Sequence, residues 1–158
     1  YIPTFNNDPT IVASIQSLRA QSFPISEIII VDDGSSDNTI EEAQKDGSIR
    51  VIRHRENLGR GAARRTAMEA AENEFVLCCD ATNKLKSDFL EKALEWMKIE
   101  GVAAVYGWLR DPNPTTAADR WRARHLFSQD EQIEPKEPGH SFGQILLKLV
   151  QNVYIDKI

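Results

Sequence analysis

The sequence has little of what marks disulfide-rich, membrane-spanning or nucleic-acid-binding proteins. It has two cysteines in 158 residues, and because Cys78 and Cys79 are neighbours, a disulfide between them would be strained. No apolar run approaches the roughly 20 residues of a membrane-spanning helix. Lys and Arg total 19 against 24 Asp and Glu, and a net charge of −5 offers no basic excess for nucleic acid. These absences favour a globular domain in a reducing, cytoplasmic setting and exclude a general nucleic-acid binder.

Both ends of the sequence resemble interior positions of a longer chain. Tyr1, rather than Met, begins what reads as the last residues of a strand, and no signal-peptide pattern follows it. The segment 153–158 ends without a helix-stopping glycine or a polar tail. We therefore expect a fragment truncated at both ends, and any membrane-associating segment of the parent protein to lie outside it.

Short β-branched or apolar runs alternate with stretches of helical spacing. The predicted strands are Ile28–Val31, Ile49–Ile52, Phe75–Cys79 and Val102–Tyr106, preceded by a partial strand at the start of the chain. Helical spacing joins Val12 to Leu18 and Leu90 to Met97, and an Ala-rich helix is predicted at about Gly61–Glu72. Continuous apolar strands between helices predict an α/β domain with a doubly wound, mostly parallel sheet flanked by helices. Residues 110–140 break this order with four prolines around a short helical piece near Ala117–Phe127 and an acidic loop.

Polar residues follow each predicted strand directly. Ligands of open α/β sheets lie outside the carboxyl ends of the strands, so these residues are predicted to converge on one binding edge. Asp37 or Thr39 is predicted to cap the next helix, with Thr39 and Glu42 at capping-box spacing, and this role explains both residues without a ligand. Asp33 has no capping duty beside Asp32, and the repulsion between the two carboxylates favours a functional role for it.

Arginine is concentrated between Arg50 and Arg65, which hold six Arg and one Glu, a charge of +5, while the rest of the chain carries −10. Backbone N–H groups at a helix start after Gly59, together with guanidinium groups, can hold a diphosphate. A solvated arginine face explains any single one of these residues equally well. Gly59-Arg60-Gly61-Ala62-Ala63-Arg64 also resembles a dinucleotide fingerprint, but Arg stands in the third glycine position, which disfavours a nicotinamide-dependent oxidoreductase.

Four motifs, taken in order, carry a resemblance to a known family. They are Ile2-Pro3-Thr4-Phe5-Asn6, Ile30-Val31-Asp32-Asp33-Gly34-Ser35-Ser36-Asp37-Asn38-Thr39, Glu56-Asn57-Leu58-Gly59-Arg60-Gly61-Ala62-Ala63-Arg64 and Asp80-Ala81-Thr82-Asn83. From residue 1 to about 108 the chain resembles the family 2 glycosyltransferases, which have the A-type nucleotide-diphospho-sugar transferase fold. The resemblance implies transfer of a sugar from a nucleotide-diphospho-sugar to an acceptor hydroxyl, with inversion at the anomeric carbon, in polysaccharide or glycoconjugate synthesis.

The resemblance also implies a donor site and a division of the chain. Thr4 and Asp33 would hold the nucleobase and ribose, with Arg60 or Arg64 near the base or diphosphate. The whole donor-binding set is Pro3, Thr4, Asn6, Asp33, Arg60, Arg64, Asp80 and Ala81. Residues 1–158 would form a single glycosyltransferase domain, with 1–108 as its donor-binding half and 109–158 as a partial acceptor-side half. The expected partners are a UDP- or GDP-linked sugar and an acceptor that is a sugar, lipid or protein, and the expected place is the cytoplasm or the inner face of the cell membrane.

The sequence departs from the family pattern at the metal motif, Asp-x-Asp, which here reads Asp80-Ala81-Thr82. Asp80 and Thr82 would be the ligands of Mg²⁺ or Mn²⁺, and a neutral hydroxyl is a poor substitute for a carboxylate with such hard cations. This departure motivates the alternative of a non-catalytic module that binds nucleotide sugar. The family's catalytic base would lie beyond Ile158, and His125 and His140 are weak substitutes within the chain. Trp121 would either stack on an acceptor sugar or pack on the core.

Overall fold

A computed structural model describes residues 1–110, 116–117 and 147–157. The chain divides into two compact units. The first consists of Tyr1–Ala20 and Pro24–Lys84, and the second of Gln21–Phe23 and the described residues from Leu85 onward. The short helical piece predicted near Ala117–Phe127 and the acidic loop lie outside the described residues. The predicted division into halves 1–108 and 109–158 stays a prediction.

The first unit alternates strands and helices around a parallel sheet. Its elements are β1 (Ile2–Thr4), α1 (Asp8–Arg19), β2 (Ile29–Asp32), α2 (Thr39–Gln44), β3 (Arg50–Arg53) and α3 (Arg60–Ala70). The strands pair in the order β1-β2-β3, and both pairings are parallel. The predicted parallel sheet flanked by helices is thus confirmed, with strand and helix ends displaced by one or two residues from the sequence patterns.

Strand β2 is buried on both faces, as its unbroken β-branched run predicted. Ile29 and Val31 pack with Ala63 and Ala67 of α3 in one core cluster. Ile30 points to the opposite face, since successive strand side chains alternate, and it too is fully buried. The small alanine side chains let α3 approach the sheet closely, which brings the start of that helix next to the carboxyl ends of the strands.

The strand predicted at Phe75–Cys79 does not form a regular strand. The amino group of Tyr1 donates to the carbonyl of Leu77 at 2.6 Å, and the amide of Cys79 donates to the carbonyl of Tyr1 at 3.0 Å. These two bonds have the pattern of a single parallel bridge beside β1. Phe75 is 53% exposed, so the beginning of the run lacks the burial that its apolar composition predicted. Asp80 directly follows Cys79, the last residue held by this bridge.

The second unit contains α4 (Phe89–Met97), β5 (Ala104–Arg110) and β6 (Leu147–Lys157), and β4 (Asn83–Leu85) crosses the boundary between the units. Strands β5 and β6 are parallel, with a register shift between Tyr106 and Trp108. Gln21 donates to the carbonyl of Lys86 and accepts from the amide of Leu90, which supports the start of α4. No helix of the described residues is long and apolar enough to span a membrane.

Candidate functional site

The register of the parallel sheet aligns the last residues of three strands. Thr4 lies opposite Asp32, and Asp32 lies opposite Arg53. Arg53 forms an ion pair through Nε with Asp32 Oδ2 at 3.1 Å and donates through a terminal guanidinium nitrogen to the carbonyl of Ser35. Asp32 is fully buried and also accepts from the amide of Ser35. Its charge is therefore balanced within the protein, which assigns Asp32 to organising the edge.

Asp33, the next residue, is 3% exposed and has three internal partners. Its Oδ1 lies 2.7 Å from His54 Nδ1 and accepts from the amide of Leu58 at 3.0 Å, and its Oδ2 accepts from the amide of Gly59 at 2.7 Å. Burial by itself raises the pKa of this carboxyl, but the hydrogen bonds from His54, Leu58 and Gly59 outweigh burial and hold the pKa below its usual range. Asp33 is therefore an ionised carboxylate at neutral pH, and a contact between it and a nucleobase stays a prediction.

The sequence did not single out His54, although it lies in the polar segment that follows β3. Its Nε2 lies 2.9 Å from the hydroxyl of Thr66 on α3, so the ring bridges the end of β2 and the middle of a helix. The signal available in the sequence was its position directly after a predicted strand. Gly34 allows the segment after β3 to lie close to the end of β2, because a Cβ at Gly34 would stand only 2.9 Å from the carbonyl carbon of Glu56.

Asn6 and the residues after β2 form an internal network. Asn6 has a left-handed backbone, with φ of 52°, donates its amide to Ser35 Oγ and accepts from the amide of Ser36. Asp37 accepts from the amides of Thr39 and Asp8, so its carboxylate joins the starts of α2 and α1. The residue at the N-cap position of α2 is Asn38, and the capping box predicted for Thr39 and Glu42 does not form. These bonds give Asn6 a structural task, and its predicted contact with the donor stays a prediction.

The predicted arginines take three different positions. Arg60 is the exposed first residue of α3, directly after Gly59. Arg64 donates to Asp80 Oδ1 at 2.9 Å, and this hydrogen bond raises the pKa of the guanidinium. Arg50, at the opposite end of β3, pairs with Glu27 and Glu72. The structure thus places Arg50 at the beginning of β3, away from the carboxyl edge, and it brings Arg64 and Asp80 together.

The metal motif offers one carboxylate. The Arg64 and Asp80 side chains are 41% and 36% exposed, so this ion pair borders solvent. Ala81 is buried and its carbonyl accepts from the hydroxyl of Ser14 at 2.9 Å, whereas Thr82 is exposed. Within the described ranges, no three His, Cys, Asp or Glu side chains are grouped so that they could hold a metal ion. Asp80 therefore fits a divalent cation only where further oxygen ligands come from another molecule, such as a diphosphate.

Two of the remaining residues predicted to bind the donor, Pro3 and Thr4, lie at the end of β1. Pro3 and Thr4 are buried in β1, and the Thr4 hydroxyl lies 3.1 Å from Asn7 Oδ1. His125, His140, Trp121 and the segment after Ile158 lie outside the described residues. A parallel α/β domain with a helix start and arginines at the carboxyl edge of its sheet has the architecture of many proteins that bind nucleotides or their phosphates.

Comparison with known proteins names the family. Residues 1–152 match the profile described as glycosyl transferase family 2, and the chain therefore belongs to that family of glycosyltransferases. The putative teichuronic acid biosynthesis glycosyltransferase TuaG of Bacillus subtilis (strain 168) is 39% identical over 99 residues, which cover 60% of this chain and 39% of TuaG. The chain spans about two fifths of the length of the curated relatives it matches.

Solved structures agree with the fold. S. aureus TarS 1-349 in complex with UDP has a TM-score of 0.66 and 27% identity, covering 73% of this chain and 36% of that chain. The mannosyltransferase PcManGT from Pyrobaculum calidifontis in complex with GDP-Man and Mn²⁺ has a TM-score of 0.63 and 27% identity, covering 69% of this chain and 34% of that chain. The fold is that of the A-type transferases, as the sequence motifs indicated.

Proposed function

We propose that this chain is the donor-binding part of an enzyme that transfers a sugar from a nucleotide-diphospho-sugar to an acceptor hydroxyl in the synthesis of a cell-envelope polysaccharide or glycoconjugate. The observation that carries the proposal is the meeting of Arg64 and Asp80 beside the start of α3, at the carboxyl edge of a family 2 fold. A cationic side chain and a helix start are suited to an anionic diphosphate. In this proposal Asp80 lies next to the sugar of the donor and next to a divalent cation bound to the diphosphate.

The proposed reaction is a single displacement with inversion. The acceptor oxygen attacks the anomeric carbon and forms the new glycosidic bond while the bond from that carbon to the diphosphate oxygen breaks. The hydroxyl proton passes to a carboxylate base outside the described residues, and the electron pair leaves with the nucleoside diphosphate. Arg60, Arg64 and the N–H groups at the start of α3 would stabilise the negative charge on the leaving diphosphate.

The nucleotide is proposed to be uridine or guanosine diphosphate. TarS is described with UDP and PcManGT with GDP-Man, which supports both bases. In our proposal the base and ribose lie between Thr4 and Asp33, at the ends of β1 and β2. A carboxylate has about four acceptor positions, and the three internal bonds of Asp33 leave room for one base N–H.

Mg²⁺ or Mn²⁺ is proposed as a cofactor that is held only together with the donor. PcManGT is described with Mn²⁺, which supports a divalent ion at this fold. In this chain Asp80 would be its carboxylate ligand, with the Thr82 hydroxyl as a weak one, and such an ion supplies Lewis-acid stabilisation of a departing diphosphate. Arg64 would lie beside both the ion and the phosphates.

A second candidate is a module that binds nucleotide sugar without transferring it. The observation in its favour is the pairing of the one motif carboxylate with Arg64, beside a threonine where the family has its second aspartate. Sugar transfer distinguishes the two functions. The parent protein would bind the donor in both cases, and only a transferase would release nucleoside diphosphate in proportion to the sugar transferred or hydrolysed.

The acceptor is proposed to be a sugar, lipid or protein carrier at the cytoplasmic side of the cell membrane. TuaG is described as a teichuronic acid biosynthesis glycosyltransferase, which supports a polysaccharide as the product. Contact with the membrane would come from segments of the parent protein other than the described residues.

Thermal unfolding with a panel of ligands tests the proposed function. UDP, GDP and their common sugar conjugates are each added with Mn²⁺ or with chelator, and AMP and NADH serve as controls. Specific binding to the folded state raises the unfolding midpoint. We expect a rise with UDP or GDP and none with the controls. A chain that responds to neither diphosphate, or equally to NADH, would contradict the proposal.

A further inference from the structure

His54 forms a bridge that the proposed reaction does not use. Its Nδ1 lies 2.7 Å from Asp33 Oδ1 and its Nε2 lies 2.9 Å from Thr66 Oγ1. Because an ionised carboxylate only accepts hydrogen bonds, Nδ1 carries the proton and donates to Asp33. The side chain is 10% exposed, so both ring nitrogens have their partners away from bulk solvent. The ring therefore ties the end of β2 to α3.

Asp33 extends this bridge to the segment between β3 and α3. The amides of Leu58 and Gly59, the last two residues before the helix, donate to its two carboxylate oxygens. His54 is the first residue of this segment, and its backbone amide donates to the carbonyl of Asp32 at 2.8 Å. One buried carboxylate thus holds the segment 54–59 at both ends, and the imidazole fixes the orientation of that carboxylate.

The positions of the arginines depend on this segment. Arg60 follows Gly59 directly, and Arg64 lies one turn further along the helix that carries Thr66. A displacement of Leu58 and Gly59 would move the start of α3 relative to Asp80, the partner of Arg64. The hydrogen bonds from His54 consequently control where the positive groups of the edge stand.

We propose that His54 is a positioning residue of the donor site, which orients Asp33 so that the segment 54–59 and the start of α3 are held ready for the diphosphate. This inference rests on the proposed function for its ligand. It assigns His54 no contact with the donor. The competing explanation is that the ring only fills space between β2 and α3.

Two substitutions test the hydrogen bonds of the two ring nitrogens one at a time. Asn places its amide nitrogen near the position of Nδ1, so His54→Asn keeps the bond to Asp33 and loses the bond to Thr66. Gln reaches the position of Nε2, so His54→Gln keeps the bond to Thr66 and loses the bond to Asp33. Both remove the ring, and the shorter Asn leaves the larger gap, so a space-filling role predicts an effect of His54→Asn at least as large as that of His54→Gln.

The first measurement is amide hydrogen exchange without ligand. Exchange reports the local opening of hydrogen-bonded amides. We expect the amides of Leu58 and Gly59 to exchange about tenfold faster in His54→Gln than in the wild-type chain, the factor that corresponds to losing one charge-assisted hydrogen bond. In His54→Asn their exchange should stay within about threefold of wild type, on the same scale. Unchanged protection in His54→Gln, or a loss of protection in His54→Asn at least as large as in His54→Gln, would overturn the proposal.

The second measurement is calorimetric binding of UDP and of GDP. The dissociation constant should rise about tenfold in His54→Gln and less than threefold in His54→Asn, if the arginines follow the segment. Equal affinities in the two folded variants would overturn the role in donor binding. A wild-type chain that binds neither nucleotide would overturn the proposed function instead, and faster exchange in His54→Gln would then still support the bridge.

A third variant keeps the proposal testable if His54→Gln does not fold. Thr66→Val retains the shape of the side chain and the imidazole but removes the hydroxyl that faces Nε2. We expect exchange of the Leu58 and Gly59 amides to rise by about two- to threefold, since a neutral hydrogen bond is the weaker anchor. No change in this variant would overturn the part of the proposal that assigns Thr66 to the bridge.

Discussion

Gly34 follows the two aspartates at the end of β2 and faces the segment that precedes α3. Its φ is +82°, a left-handed backbone conformation that costs an L-residue about 1–2 kcal/mol. A Cβ at this position would stand 2.9 Å from the carbonyl carbon of Glu56 and 3.0 Å from the amide nitrogen of Asn57. Both neighbours are backbone atoms, so they can give way only if the segment 54–59 moves.

We predict that Gly34→Ala lowers the free energy of unfolding by about 2–5 kcal/mol. The left-handed backbone contributes about 1–2 kcal/mol, and the forced contact contributes about 1–3 kcal/mol, the usual cost of overpacking. Because the contact displaces Glu56 and Asn57, the nucleotide affinity of the folded fraction should fall as well. Urea unfolding followed by far-ultraviolet circular dichroism measures the first effect, and calorimetry with UDP or GDP measures the second.

Two other glycines provide matched controls. Gly59 has φ of 91° and ψ of 155°, a conformation that essentially only glycine adopts, and no atom lies within 4 Å of an added Cβ, so Gly59→Ala should show a backbone cost of about 1–3 kcal/mol without a forced contact. Gly61 lies within α3 and also has open space, so Gly61→Ala should be neutral or stabilise by up to about 1 kcal/mol. The reasoning would be refuted if Gly34→Ala were as stable as Gly61→Ala.

Three further outcomes follow from the charged groups of the edge. Arg60→Gln and Arg64→Gln should each weaken UDP or GDP binding and flatten its salt dependence. Arg50→Gln should do neither, because the Arg50 side chain pairs with Glu27 and Glu72 at the other end of β3, and equal effects of all three variants in calorimetry at two salt concentrations would disprove this assignment. Thr82→Asp should tighten nucleotide binding when Mn²⁺ is present, because a second carboxylate adds charge for the cation, and should weaken it in chelator, because the same carboxylate then repels the phosphates. Metal-assisted binding would be refuted if chelator left wild-type affinity unchanged and the variant bound more weakly in Mn²⁺. The pKa of Asp33 is lower in the folded chain than its ordinary value of 3.8, so its contribution to stability is full above about pH 4 and is lost as the pH falls through the depressed folded value. The stability difference between wild type and Asp33→Asn in urea titrations should therefore stay constant above about pH 4 and shrink as the pH falls further, and a difference that stays constant below about pH 4 would count against this assignment.

The amino-acid sequence by itself determined the order of the elements from β1 to α3 and the location of the edge. Continuous β-branched residues predict a strand buried on both faces, and Ile29–Asp32 is such a strand in the centre of the first sheet. Parallel strands place their carboxyl ends on the same side, so the polar residues after each run had to meet there. These inferences succeeded because they depend on local periodicity and on a general rule for parallel sheets.

Only the tertiary structure decided which polar groups bind one another at that edge. Asp32 pairs with Arg53, Asp33 binds His54 and two backbone amides, and Asp80 binds Arg64. The partners are 16 to 26 residues apart in the chain, and neither periodicity nor spacing selects among the six arginines of the segment 50–65. The choice depends on where α3 packs against β2 and on how closely Gly34 lets the neighbouring backbone approach, because hydrogen bonds between side chains require distances set to a few tenths of an ångström.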